Sequence, residues 1–106
     1  MTRLRVHPEA RREASAATTW YRTRSHDTAR DFARAVRAGV QSIRERPAAW
    51  ARWKGGDIRR KILRGFPYSI FYIVESDTVV VMAIAHHKRR PGYWKPRLHR
   101  TGRRSR

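Results

Sequence analysis

The distribution of apolar residues in the second half of the chain is typical of β-strands. Tyr68–Glu75 and Thr78–His86 are two apolar runs joined by the two-residue turn Ser76-Asp77, a spacing that indicates a β-hairpin. A shorter strand rich in arginine and lysine is expected at 58–63, before a break that contains glycine and proline. Together the three runs predict an antiparallel meander.

The first half of the chain shows helical periodicity instead. A short strand at 3–7 precedes a first helix, and a second helix is expected from a cap at Ser25 or Asp27 to about Arg46. Gly39 within the second helix favours a close helix–helix contact. The order β-α-α-β-β-β predicts an α+β two-layer domain with an N-terminal strand, an α-helical hairpin and a three-stranded antiparallel meander.

Both faces of the predicted hairpin are apolar, which is unusual for a small antiparallel sheet. In the expected register of the hairpin, Phe71 lies opposite Met82. The helices can cover one face of the sheet. The other face predicts a partner chain, because the segment from Lys95 onward has few apolar residues and is expected to be disordered. The alternative is that the C-terminal segment folds back over this face. The residues expected to meet the partner are Phe71, Ile73, Val80, Met82 and Ile84.

The net charge of the chain limits the classes of partner that it is expected to bind. The chain has 106 residues and a net charge of +18, and 22 of its 26 basic residues are arginine. Such an excess favours a nucleic acid or a strongly acidic protein as partner. The chain has no cysteine, no secretory signal and no apolar run long enough to span a membrane, so a cytoplasmic location is expected. Residues 1–97 are interpreted as a single domain and 98–106 as a basic, disordered tail.

A basic and aromatic cluster follows the last strand directly. Metal-independent RNA cleavage needs a base, cations on the phosphate and an acid, and His86 has an ordinary pKa suited to such work. The alternative is that His86 only caps the strand end. Adjacent histidines on a strand point to opposite faces, so no metal site or cofactor is expected. Tyr93 and Trp94 could stack on a base.

Several segments resemble the RelE/ParE toxins of bacterial toxin–antitoxin pairs, and the ParE-like branch in particular. They are VHPEA at 6–10, WY at 20–21, FPYSIFY at 66–72, and AIAH followed by KRRPGYW at 83–94. The resemblance extends over residues 3–97. It implies a toxin held inactive in a hetero-oligomer by an acidic antitoxin. The cellular target would be DNA gyrase in ParE-like members, or mRNA on the ribosome in RelE-like members.

The resemblance also bears on individual residues. RelE-like nucleases usually carry an arginine where this chain has Ser69, whereas Arg89 matches their late-strand arginine and Tyr93 lies near their C-terminal tyrosine. His86, Arg89 and Tyr93 would therefore be the catalytic set if the chain is a nuclease. Residues expected to bind the target or a phosphate are Arg59, Arg60, Lys61, Lys88, Arg90 and Trp94; the first three are alternatively a solvated edge or a seat for antitoxin carboxylates.

Three hypotheses about function remain after the sequence analysis. Ser69 favours a ParE-like toxin that inhibits a cellular target, with gyrase as the precedent. The second hypothesis is a RelE-like, ribosome-dependent endoribonuclease. The third is a nucleic-acid-binding module without toxicity.

Overall fold

The computed structural model describes residues 2–100. One four-stranded sheet carries two long helices on one face, which confirms the expected α+β two-layer fold and its element order. The elements are β1 (Arg3–Val6), α1 (Pro8–Arg22), α2 (His26–Glu45), a 3₁₀ turn (Trp53–Gly55), β2 (Arg59–Ile62), β3 (Tyr68–Glu75), β4 (Thr78–His86) and α3 (Arg97–Arg100).

The sheet has the order β1-β4-β3-β2. The meander β2-β3-β4 is antiparallel, and β1 adds to its open edge parallel to β4, from Arg3 opposite Thr78 to Val6 opposite Val81. Beyond Val6 the chain leaves the sheet to enter α1. The outer edge of β4 therefore continues past Val81 without a neighbouring strand.

Local sequence sets the ends of both helices. The His7 Nδ1 atom accepts the N–H of Glu9 at 3.0 Å and so caps α1, whose first residue is proline. Ser25 caps α2, because its Oγ accepts the N–H of Thr28 at 3.2 Å. Only Thr23, Arg24 and Ser25 separate the helices, which pack against each other as the expected hairpin.

Gly39 marks a close contact of α2 with the sheet, and the expected helix–helix contact is wrong. A Cβ atom at this position would lie 2.9 Å from Cδ1 of Ile70 and 3.1 Å from Cδ2 of Leu63. Both neighbours belong to the core between the helices and the sheet. The glycine therefore lets the helix backbone approach the strands.

A β-bulge in β4 changes the expected register. Tyr72 lies opposite Val81 and Phe71 lies opposite Ala83, so Met82 is the extra residue and does not face Phe71. After the bulge the side chains alternate in the opposite sense. Ile84 consequently packs in the helix-side core, so its assignment to the face that meets a partner is wrong.

The second face of the sheet is covered by the chain itself. Trp94 is 1% exposed and packs on Phe71, with a ring-centre distance of 4.8 Å, and Trp53 and Leu98 close the same cluster. The expectation of an open face is therefore wrong, and the alternative of a C-terminal segment folded over it is right. Four residues that were expected to meet a partner are buried in this second core: Phe71, Ile73, Val80 and Met82.

A buried ion pair fastens the C-terminal segment to α1. Arg97 Nη2 lies 2.9 Å from Glu13 Oε2, and the two side chains are only 12% and 16% exposed. Tyr93 donates its hydroxyl to the same carboxylate. Residues 95–98 therefore form an ordered turn in which Arg97 and Leu98 pack against the rest of the chain, whereas 101–106 of the expected tail lie outside the described residues.

The ion pair also completes the backbone bonds of β4 where β1 has ended. Glu13 Oε1 accepts the N–H of Ile84 at 3.0 Å, and Arg97 Nη1 donates to the carbonyl of Met82 at 3.1 Å. These two backbone groups lie at the bulge residue Met82 and two residues beyond it, and they face the strand edge that β1 leaves open. The charged side chains of Glu13 and Arg97 thus form the hydrogen bonds with β4 that a neighbouring strand would otherwise form.

Replacing Glu13 by glutamine should destabilise the fold strongly. Arg97 would stay buried without its counter-charge, so we expect a loss of about 2–4 kcal/mol in the free energy of unfolding. Urea denaturation of the full chain measures it. Glu9→Gln is the matched control, because it removes the same charge one turn earlier from an exposed pair with Arg12 and should change little. Equal effects of the two variants would contradict the role given to Glu13.

Replacing Gly39 by leucine should also destabilise, by about 1–2 kcal/mol, since overpacking against Ile70 outweighs the gain in helix propensity. Ala38→Leu adds a leucine at the preceding, exposed position and should leave stability within about 0.5 kcal/mol. Thermal and urea denaturation compare the two variants. A Gly39→Leu variant as stable as the parent would show that α2 does not press on the sheet there.

Candidate functional site

The open end of the β3–β4 hairpin, opposite its turn, forms a cleft of about 240 Å³. Its floor is aromatic, from Trp53, Phe71 and Trp94, and its walls come from β2, β3 and the segment after β4. Three arginines and two histidines line it, and none of its lining residues is acidic. The arginine and histidine residues of the lining are Arg60, His86, His87, Arg89 and Arg90.

A larger groove of about 600 Å³ lies on the helix side of the same hairpin end. Its surface is mostly apolar, and Trp20, which is 51% exposed, stands at its border with the Arg24 guanidinium 3.6 Å from the ring centre. The cleft and the groove share one wall. That wall consists of His86, Arg89 and Tyr93, so the structure brings the three expected catalytic residues together.

His86 is held at the end of β4 by a backbone contact. Its Nδ1 accepts the N–H of Lys88 at 3.0 Å, so the neutral ring carries its proton on Nε2. Partial burial, with the charges of Lys88 and His87, lowers the pKa of His86 below its ordinary value. The side chain caps the strand end, although it caps an N–H rather than a carbonyl.

Arg89 and Tyr93 form the rest of the shared wall. The Arg89 guanidinium stacks on the Tyr93 ring, 3.8 Å from its centre. Burial, and then the hydrogen bond to Glu13, raises the pKa of the Tyr93 phenol. The Tyr93 side chain thus stacks against Arg89 and donates a hydrogen bond to Glu13 of the ion pair.

The residues expected to bind a target or a phosphate separate into two groups. Arg60 and Arg90 are exposed side chains that line the cleft, and Lys88 is exposed beside it. Arg59, Lys61 and Trp94 have structural contacts instead. Arg59 Nη1 donates to the carbonyl of Trp50 at 2.6 Å, Lys61 Nζ lies 4.5 Å from the Trp50 ring centre, and Trp94 is in the second core.

Two contacts at the site were missed by the sequence analysis. Ser69, on β3, is 1% exposed, and its Oγ lies 2.9 Å from Nε2 of His87 in the cleft. The sequence signal was the departure at Ser69 itself, because a small polar residue replaced an expected arginine beside the basic cluster. Glu13 was missed as well, although it is an acid beside a stripe of small residues on α1.

Residues 2–98 contain no group of three or more His, Cys, Asp or Glu side chains placed to hold a metal ion. Over the described part of the chain, none of the helices is long and apolar enough to cross a membrane.

The family comparison and the comparison with solved structures agree with each other. The family model for the ParE toxin of the type II toxin–antitoxin system parDE matches residues 4–91. A chain of the solved chromosomal ParDE toxin–antitoxin system from P. aeruginosa has the same fold, with a TM-score of 0.71 at 16% identity over 81% of this chain and 96% of that chain. No curated protein matches the sequence. Because the family model spans most of its length, the chain belongs to the ParE toxins of type II toxin–antitoxin systems.

Proposed function

We propose that this toxin inhibits DNA gyrase in the cytoplasm and is neutralised by an acidic antitoxin that binds it in a hetero-oligomer. The family match over residues 4–91 carries the proposal. A net charge of +18 supports an acidic partner, because complementary charge speeds association and favours the right partner over others.

The side chains of the cleft support the inhibitor over a nuclease. Ser69 stands where RelE-like nucleases usually have an arginine, and its hydroxyl is engaged by His87. The Tyr93 hydroxyl is engaged by Glu13 and the pKa of its phenol is raised, so it is a poor proton acceptor at neutral pH. A RelE-like endoribonuclease built on His86, Arg89 and Tyr93 is the alternative that the experiment below separates.

The antitoxin requires a surface other than the sealed sheet face. The groove beside α1 is suitable, because it is apolar at Trp20 and Tyr68 and bordered by the cations Arg24 and Arg89. An amphipathic acidic segment has the matching chemistry. Of the five residues expected to contact the antitoxin, only Ile84 lines this groove, and we propose that Ile84 contributes to its floor.

Brief induction of the toxin should arrest growth by inhibiting gyrase. We expect loss of plasmid negative supercoiling, DNA damage and filamentation while mRNA stays intact. Purified toxin should inhibit gyrase supercoiling in vitro, and co-expression of the acidic protein encoded beside it should restore growth. Early mRNA cleavage with normal supercoiling would instead assign the ribosome-dependent nuclease, and normal growth would contradict toxicity.

Replacing Trp20 by alanine should weaken antitoxin binding by about tenfold or more, since exposed tryptophans at interfaces are frequent hot spots. Thr19→Ala is the control, because Thr19 is exposed at the adjacent helix position and is not part of the groove. Calorimetry with the neighbouring acidic protein measures both affinities. Similar affinities for the two variants would place the antitoxin elsewhere.

A further inference from the structure

The cleft at the hairpin end holds unneutralised positive charge. Arg60 and Arg90 are exposed side chains that line the cleft, one on the edge strand β2 and one in the turn after β4. Neither side chain forms an ion pair or hydrogen bond with any residue in 2–98. Glu13 lies beyond the shared wall and is neutralised by Arg97. The cleft is therefore a site for an anion.

The buried end of the cleft presents a fixed hydrogen-bonding group. Ser69 cannot turn toward water, because it is almost fully buried, and its Oγ fixes Nε2 of the exposed His87. If the serine hydroxyl donates to Nε2, the proton of the neutral ring sits on Nδ1 and can be donated to a ligand oxygen. Two guanidinium groups and this ring suit a phosphate, whose oxygens accept several bonds at once.

The floor of the cleft points to a planar group attached to that phosphate. Trp53 is half-buried and lines the cleft, and its ring packs edge-on against the buried Trp94, with ring centres 5.0 Å apart. This apolar aromatic surface matches a nucleobase better than the flexible carboxylates of an acidic peptide. A volume of about 240 Å³ is just below the roughly 300 Å³ at which small-ligand sites begin, so the cleft encloses only part of one nucleotide and excludes a duplex.

We propose that the cleft binds one nucleoside phosphate, either free or as part of a single strand. Arg60, Arg90 and His87 hold the phosphate, and the base lies against the half-buried Trp53. The proposal concerns binding alone and does not depend on gyrase inhibition. If either nucleotide binding or gyrase inhibition fails its test, the other proposal is unaffected.

Calorimetry with the purified full-length chain tests the site. Adenosine 5′-monophosphate should bind at least tenfold more tightly than adenosine or inorganic phosphate alone. Tighter binding of a short single-stranded oligonucleotide would assign the strand as the source of the phosphate, and equal or weaker binding would assign the free nucleotide. Equal binding of adenosine and its monophosphate would overturn the proposal, as would full displacement of the nucleotide by poly-glutamate at matched charge.

Charge-matched variants localise the binding. Arg60→Ala with Arg90→Ala should weaken binding of the monophosphate about tenfold or more, since hydrogen bonds to charged groups are lost. Arg11→Ala with Arg37→Ala removes the same charge from exposed helix positions outside the cleft and should change affinity less than about threefold. His87→Ala should also weaken binding, and because this change leaves the buried Ser69 hydroxyl without its partner, circular dichroism checks that the variant stays folded. Equal losses in the two double variants would overturn the proposal.

Discussion

The ion pair between Glu13 and Arg97 is the interaction on which the rest of this structure depends. It satisfies the two backbone groups of β4 that β1 leaves open, and it holds the segment carrying Trp94 against the sheet. A buried charge pair is costly to desolvate, and this one is tolerated because each partner also makes further hydrogen bonds. Without it, a strand edge and an apolar face would both be exposed to water.

The same interaction organises the surface. Tyr93 is fixed by Glu13, Arg89 stacks on Tyr93, and with His86 they form the wall that divides the cationic cleft from the apolar groove. Two surfaces of opposite character thus lie side by side at one end of the hairpin. If the antitoxin occupies the groove as proposed, the cleft remains a separate surface with its own chemistry.

Much of the fold could be predicted from the sequence because it follows from local signals. Periodicity placed both helices, and the turn Ser76-Asp77 fixed the hairpin and the ends of its strands. The bulge at Met82 could not be predicted, because one added residue in a run of apolar residues leaves no local mark. That single shift moved Ile84 to the other face. The burial of Trp94 could not be predicted either, since a lone tryptophan in a basic segment suits stacking and packing equally well.

The central claim, that the chain closes its own sheet through the Glu13–Arg97 contact, is tested most directly by hydrogen exchange of the isolated toxin, resolved by residue with NMR. The amide of Ile84, bound to Glu13, and the amide of Arg97, bound to the carbonyl of Trp94, should both exchange far more slowly than in an unstructured peptide. Exchange of both amides at the rate of an unstructured peptide, with the neighbouring β3 amides still protected, would contradict it.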